Sequence, residues 1–131
     1  MVVKIMASSP TMKSALEYNE KKVSNGEAEV IHTANVDPDL DGFLETIKRY
    51  ERRNFSSKEL SFHMSVNPSQ TDGLSEEKVK ELVADIMEGL GFANQPYAVY
   101  RHDDIERRHY HVVSIRTDSN GRKIPSRQEN R

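Results

Sequence analysis

The chain contains no cysteine. That excludes disulfides, thiolate metal sites and cysteine nucleophiles, and it suits a reducing compartment such as the cytoplasm. Long apolar runs are also missing: none approaches the roughly 20 residues that span a bilayer. The opening Met1-Val2-Val3-Lys4-Ile5 is too short for the apolar core of a secretory signal, so membrane insertion is not expected. Net positive charge is lacking too. The formal charge is -2, which argues against a dedicated duplex-DNA binder.

What is present is a polar chain of 131 residues, 31% of them charged, with a mean hydropathy of -0.77. The length matches one ordinary domain with a modest core. Charge is unevenly spread. Residues 1–100 are net acidic, and residues 101–131 are net basic.

Apolar periodicity and punctuation divide the chain into alternating elements. Val2 to Ala7 reads as a first strand. Ser9-Pro10 has the form of a helix start, and Met12, Ala15, Leu16, Asn19 and Val23 follow at helical spacing until Asn25-Gly26. Ala28 to Ala34 reads as a strand. Asp37-Pro38 repeats the start signal ahead of Leu40, Phe43, Leu44, Ile47 and Tyr50, which predict a helix to about Arg53. Glu59 to Asn67 alternates cleanly: Leu60, Phe62, Met64 and Val66 on one side, Ser61, His63, Ser65 and Asn67 on the other. Ser75 caps a third helix, stapled by Leu74 and Val79, that ends at Gly89 and Gly91. Strands near Pro96–His102 and Arg108–Thr117 close the pattern, followed by the turn Asp118-Ser119-Asn120-Gly121. The order predicts an α/β (α+β) two-layer sandwich: a mostly antiparallel sheet with helices on one face and a polar, site-bearing opposite face.

Three of the five histidines fall within His102 to His111. His109 and His111 are two apart and share a strand face. A hairpin through the intervening loop brings His102 beside them. Three neutral imidazoles can hold a divalent metal and leave coordination positions open, as catalytic sites do. Imidazole favours Mn, Co, Ni, Zn or Cu over Mg by intrinsic affinity. Asp103, Asp104 and Glu106 could accept from the ring N–H groups and orient them. Histidines also occur on ordinary polar strand faces, and the spacing alone does not separate a nuclease from a hydrolase or an oxidase.

Tyr18 lies off the buried stripe of the first helix, with Lys21 and Lys22 at i+3 and i+4. A phenol near pKa 10 is a poor nucleophile, and a neighbouring ammonium or metal favours its ionised form. Five tyrosines are present, and periodicity does not choose among them.

Four segments together resemble a known family. Ala15-Leu16-Glu17-Tyr18-Asn19-Glu20-Lys21-Lys22-Val23 is similar to the tyrosine motif of mobilisation relaxases, members of the HUH endonuclease superfamily. Phe62-His63-Met64-Ser65-Val66-Asn67-Pro68 is similar to their middle strand motif. Gly91 to Tyr100 is similar to the segment leading into the metal strand. His102 to His111 is similar to the three-histidine motif, with Asp104 and Tyr110 in its named positions. The likeness is greatest to relaxases of mobilisable elements in Bacteroides-like bacteria. Some relaxases carry an asparagine four residues after the last histidine, where this chain has Ile115.

The resemblance implies a bacterial cytoplasmic enzyme that nicks one DNA strand at an origin of transfer during conjugative mobilisation. Tyr18 would attack the phosphate, giving a 5′-phosphotyrosine and a free 3′-hydroxyl. His102, His109 and His111 would hold the divalent metal, Mg or Mn in function, with Ni, Co or Zn possible. His63 would position phosphate or the tyrosine; Asp104 and Lys22 would support the site. Implied partners are single-stranded DNA, accessory mobilisation proteins and a type IV coupling protein. Residues 1–131 would form the catalytic domain, truncated at the C-terminus. Two other readings stay open: a replication initiator or transposase using the same histidine pair, and a non-catalytic single-strand-binding fragment. A tyrosine ahead of the histidines favours the relaxase order over the initiator or transposase order.

Overall fold

A computed structural model describes residues 1–53, 59–69, 71–103 and 107–125. The elements run β1 (Val2–Ile5), α1 (Lys13–Ser24), β2 (Ala28–Ala34), α2 (Gly42–Arg52), β3 (Ser61–Asn67), α3 (Glu76–Leu90), β4 (Tyr97–His102) and β5 (His109–Ile115). The five strands form one sheet in the order β1-β3-β5-β4-β2, and every neighbouring pair is antiparallel. The α+β class and the antiparallel sheet are as the sequence predicts.

The layering differs from the expectation of helices on one face. Val79, Val83, Met87 and Leu90 of α3 pack on Phe62, Met64, Val66, Val99, Tyr110 and Val112. On the other face, Met12, Ala15, Phe43 and Ile47, from α1, its entry and α2, pack on Ala98, Tyr100, Val113 and Ile115. The polar alternation of β3 suggested an open face, but β4 and β5 are nearly continuously buried. Such runs belong to strands covered on both sides. Leu60 joins the α1–α2 cluster rather than the Phe62 side.

Two predicted helix starts also move. Ser9 does not cap α1. Its N–H donates to Ser61 Oγ at 2.9 Å, and its carbonyl accepts from Leu60 and Ser61, so the segment is tied to the head of β3. The helix begins four residues later, where the Met12 N–H donates to Glu51 Oε2 of α2. Asp37 likewise closes a local turn, accepting from the Asp39 N–H, and pairs with Arg49, while α2 starts after Asp41. Ser9 Oγ donates to the Thr11 carbonyl at 2.6 Å and Asp37 Oδ1 accepts from the Asp39 N–H, so each cap-forming side chain is committed to a nearby backbone group ahead of the helix. The α3 start is as expected: Ser75 Oγ accepts from the Lys78 N–H, and Gly91 closes the helix at φ 89°. That left-handed position suits glycine.

Candidate metal and nucleophile site

Strand register assembles the histidines. β4 and β5 pair with His102 directly opposite His109, and His111 lies two residues further along the same face. One potential ligand nitrogen from each of His102, His109 and His111 lies within 4.8 Å of the other two. His102 and His111 are buried, and His109 is half-buried. The donor set suits a borderline divalent cation with open positions.

Each ring has a partner that bears on its tautomer. His102 Nε2 is 2.9 Å from Asn19 Oδ1, and Asn19 Nδ2 donates to the Ala15 carbonyl at 2.9 Å. His111 Nδ1 is 2.7 Å from His63 Nε2. Burial pushes the His63 imidazole down to about 4, so that ring is neutral at physiological pH. A neutral His63 can accept from His111 Nδ1–H, which leaves His111 Nε2 to face a metal. His109 Nδ1 approaches the Arg107 carbonyl at 3.4 Å, a weak contact.

Helix α1 crosses this patch and carries Tyr18 over it. The Tyr18 ring centroid is 6.0 Å from that of His102, 5.6 Å from His111 and 6.1 Å from His63. The tyrosine is 46% exposed. Lys22 Nζ stands 5.8 Å from the Tyr18 ring centroid and pairs with Glu27 at 3.1 Å, while Lys21 is exposed. Two bonds from successive residues fix α1 to β4: Asn19 to His102, and Glu20 to the Tyr100 hydroxyl at 2.8 Å.

Cavities flank the patch on both sides. One of about 460 Å³ lies against Met6, Ala15, Tyr18 and His63. The other, about 360 Å³, lies against Lys4, Met6, His109 and His111. Met6 lines both, and the exposed edge strand β1 runs beside them.

Among the sequence-predicted residues, Tyr18, His63, His102, His109, His111 and Lys22 come together. Asp104 and Glu106 lie outside the described residues. Asp103 is not an acceptor for the rings. Its carboxylate is gripped by Arg108 at 2.8 Å and Arg101 at 3.0 Å. Burial alone would raise its pKa, but these two bonds outweigh burial and lower it. His32, half-buried on the edge strand β2, lies edge-on to Tyr97 at 6.1 Å between ring centroids. Asn19 was missed as a site residue. Its signal was a lone amide on an otherwise apolar helix stripe, since a buried polar group needs a partner.

Residues 18–131 match the family model described as Relaxase: MobA/VirD2-like, nuclease domain. The chain belongs to this relaxase family. No curated protein matches the sequence. A relaxase nuclease domain implies a DNA-nicking role and single-stranded DNA as ligand, and the tri-histidine cluster could hold the divalent ion that such enzymes use. No helix among the described residues is long and apolar enough to cross a membrane.

Proposed function

We infer that this relaxase makes a site-specific nick in one DNA strand by tyrosine transesterification, with Tyr18 as nucleophile. The observation that carries the reading is the placement of the half-exposed Tyr18 ring within 6.0 Å of the His102 centroid, directly over the tri-histidine patch. The phenol oxygen of Tyr18 forms a bond to phosphorus as the bond from phosphorus to the 3′ oxygen breaks. The phenol proton passes to solvent, and the departing 3′ oxygen takes a proton from solvent. The product is a 5′-phosphotyrosine with a free 3′-hydroxyl, and the diester energy is kept for religation.

His102, His109 and His111 are the residues that would hold the metal. When bound, it would supply positive charge where the pentacoordinate phosphate gains negative charge. His63 lies 2.7 Å from the His111 ring and beside Tyr18, where it would position the phosphate or the tyrosine. Lys22 lies close to the Tyr18 ring and adds positive potential there. The two cavities beside the histidines suit an extended single strand, with Lys4 near a backbone phosphate and bases against Met6 and Tyr18.

The biological setting that fits is mobilisation: nicking at an origin of transfer in a bacterial cell, alongside accessory mobilisation proteins and a coupling protein. Residues 1–131 would contribute the catalytic core. The likeness to Bacteroides-type mobilisation relaxases rests on the four segments Ala15–Val23, Phe62–Pro68, Gly91–Tyr100 and His102–His111.

The test is incubation with a pool of single-stranded oligonucleotides of randomised centre, with Mn²⁺. A covalent protein–DNA species is expected that EDTA suppresses and Tyr18→Phe eliminates. Salt-sensitive binding without any cleavage would instead support a single-strand-binding fragment.

A further inference from the structure

We propose that Asn19 is a positioning residue that fixes His102 in the tautomer a metal requires and ties that ligand to the helix turn carrying Tyr18. The proposal rests on His102 serving as a ligand, and it goes beyond that assignment.

Asn19 is fully buried on α1, between the helix and the sheet. An asparagine amide can be turned either way, but here one orientation is decided. The nitrogen must face the Ala15 carbonyl, 2.9 Å away, because the amide oxygen there would oppose another acceptor. Oδ1 therefore faces His102 Nε2 at 2.9 Å. An amide oxygen only accepts, so Nε2 must carry the hydrogen. In a neutral imidazole the lone pair then belongs to Nδ1, and Nδ1 becomes the ligating nitrogen.

The same bond has a second consequence. Asn19 directly follows Tyr18, and Ala15 is one turn earlier, so the amide is locked into the helix backbone that presents the phenol. The Glu20–Tyr100 bond, one residue further on, holds that turn against the same strand, β4. Ligand orientation and nucleophile placement thus depend on one short piece of α1. The turn cannot slide along β4 without rotating His102.

Two measurements test the proposal, and neither requires DNA cleavage. Long-range ¹H–¹⁵N NMR of the metal-free wild-type protein reads the His102 tautomer directly. Hydrogen on Nε2 is expected; hydrogen on Nδ1 would overturn the proposal without any variant having to fold. Co²⁺ affinity, by titration of the visible absorption band, then compares Asn19→Leu with Asn19→Asp. Loss of an outer partner of a ligating histidine typically costs about ten- to hundredfold in metal affinity. Asn19→Leu is expected to lose that much, whereas Asn19→Asp, which still offers an acceptor to Nε2–H but turns its second oxygen toward the Ala15 carbonyl, is expected to lose measurably less than Asn19→Leu. Equal affinity of wild type and Asn19→Leu, or equal losses in both variants, would contradict it. If Co²⁺ binds as expected but no oligonucleotide is cleaved, the nicking reading fails and the Asn19 assignment stands.

Discussion

The Tyr18 ring lies nearly parallel to the His102 imidazole, with 18° between planes and 6.0 Å between centroids. The phenol therefore does more than reach the patch. Its ring stacks beside one of the three candidate ligand rings. Removing the hydroxyl and removing the ring should then have separable effects. Tyr18→Phe should abolish covalent attachment to DNA while leaving Co²⁺ affinity within about twofold, because the ring packing that holds His102 is kept. Tyr18→Ala should abolish attachment and weaken metal binding as well. Gel shift under denaturing conditions and absorption titration read the two effects.

The depressed pKa of His63 makes stability depend on pH. Burial holds the folded imidazole at about 4, against an ordinary value of 6.5. Below pH 6.5 the unfolded chain takes up a proton that the folded chain refuses, so the unfolded state gains. The contribution of neutral His63 is fully present above about pH 6.5 and is lost as pH falls toward 4. Urea midpoints of the metal-free protein should fall across this window. The fall should be smaller in His63→Gln, which has no titrating ring. An equal fall in the variant would assign the pH dependence elsewhere.

Tyr100 is buried beneath α1, and its hydroxyl donates to Glu20 at 2.8 Å. Burial, then the adjacent carboxylate, raises its pKa well above the usual phenol range, so it stays protonated and a donor. Tyr100→Phe removes that bond and leaves the ring in the core. The expected loss is about 0.5–1.5 kcal/mol in denaturant unfolding. Because Glu20 and Asn19 pin the same turn of α1, attachment to DNA should also slow, with metal affinity reduced only slightly. Unchanged attachment would show that Asn19 alone holds the helix.

Ser14 is exposed at the cavity beside Tyr18 and His63. Ser14→Glu places a negative charge where a strand carrying phosphates would pass. Oligonucleotide binding should weaken severalfold and become less sensitive to added salt, while Co²⁺ binding is unaffected. Binding of a 5′-labelled oligonucleotide by fluorescence anisotropy at two salt concentrations measures both. If binding is unchanged, the strand takes a different path.

The histidines were legible because strand periodicity is strict. His109 and His111 had to share a face, and one antiparallel hairpin had to return His102 to them. Tyr18 was legible as an off-stripe residue on α1, but its neighbours on the sheet were not. The layering was harder. β3 alone looked half-polar, and only the two-sided burial of Tyr97–Tyr100 and Tyr110–Ile115 signals helices on both faces. The helix starts at Ser9 and Asp37 misled because the competing partners, Ser61 and Arg49, are distant in sequence. Asp103 misled for a different reason: Arg101 and Arg108, as near in the chain as the histidines, take up its carboxylate.

The most direct measurement is peptide mapping of the DNA-linked protein. After reaction with the oligonucleotide pool and Mn²⁺, proteolysis and mass spectrometry should find the phosphonucleotide on one peptide, the one containing Tyr18, joined through a 5′-phosphate. A nucleotide on Tyr50, Tyr97, Tyr100 or Tyr110, or linkage through a 3′-phosphate, would contradict the assignment of nucleophile and polarity together.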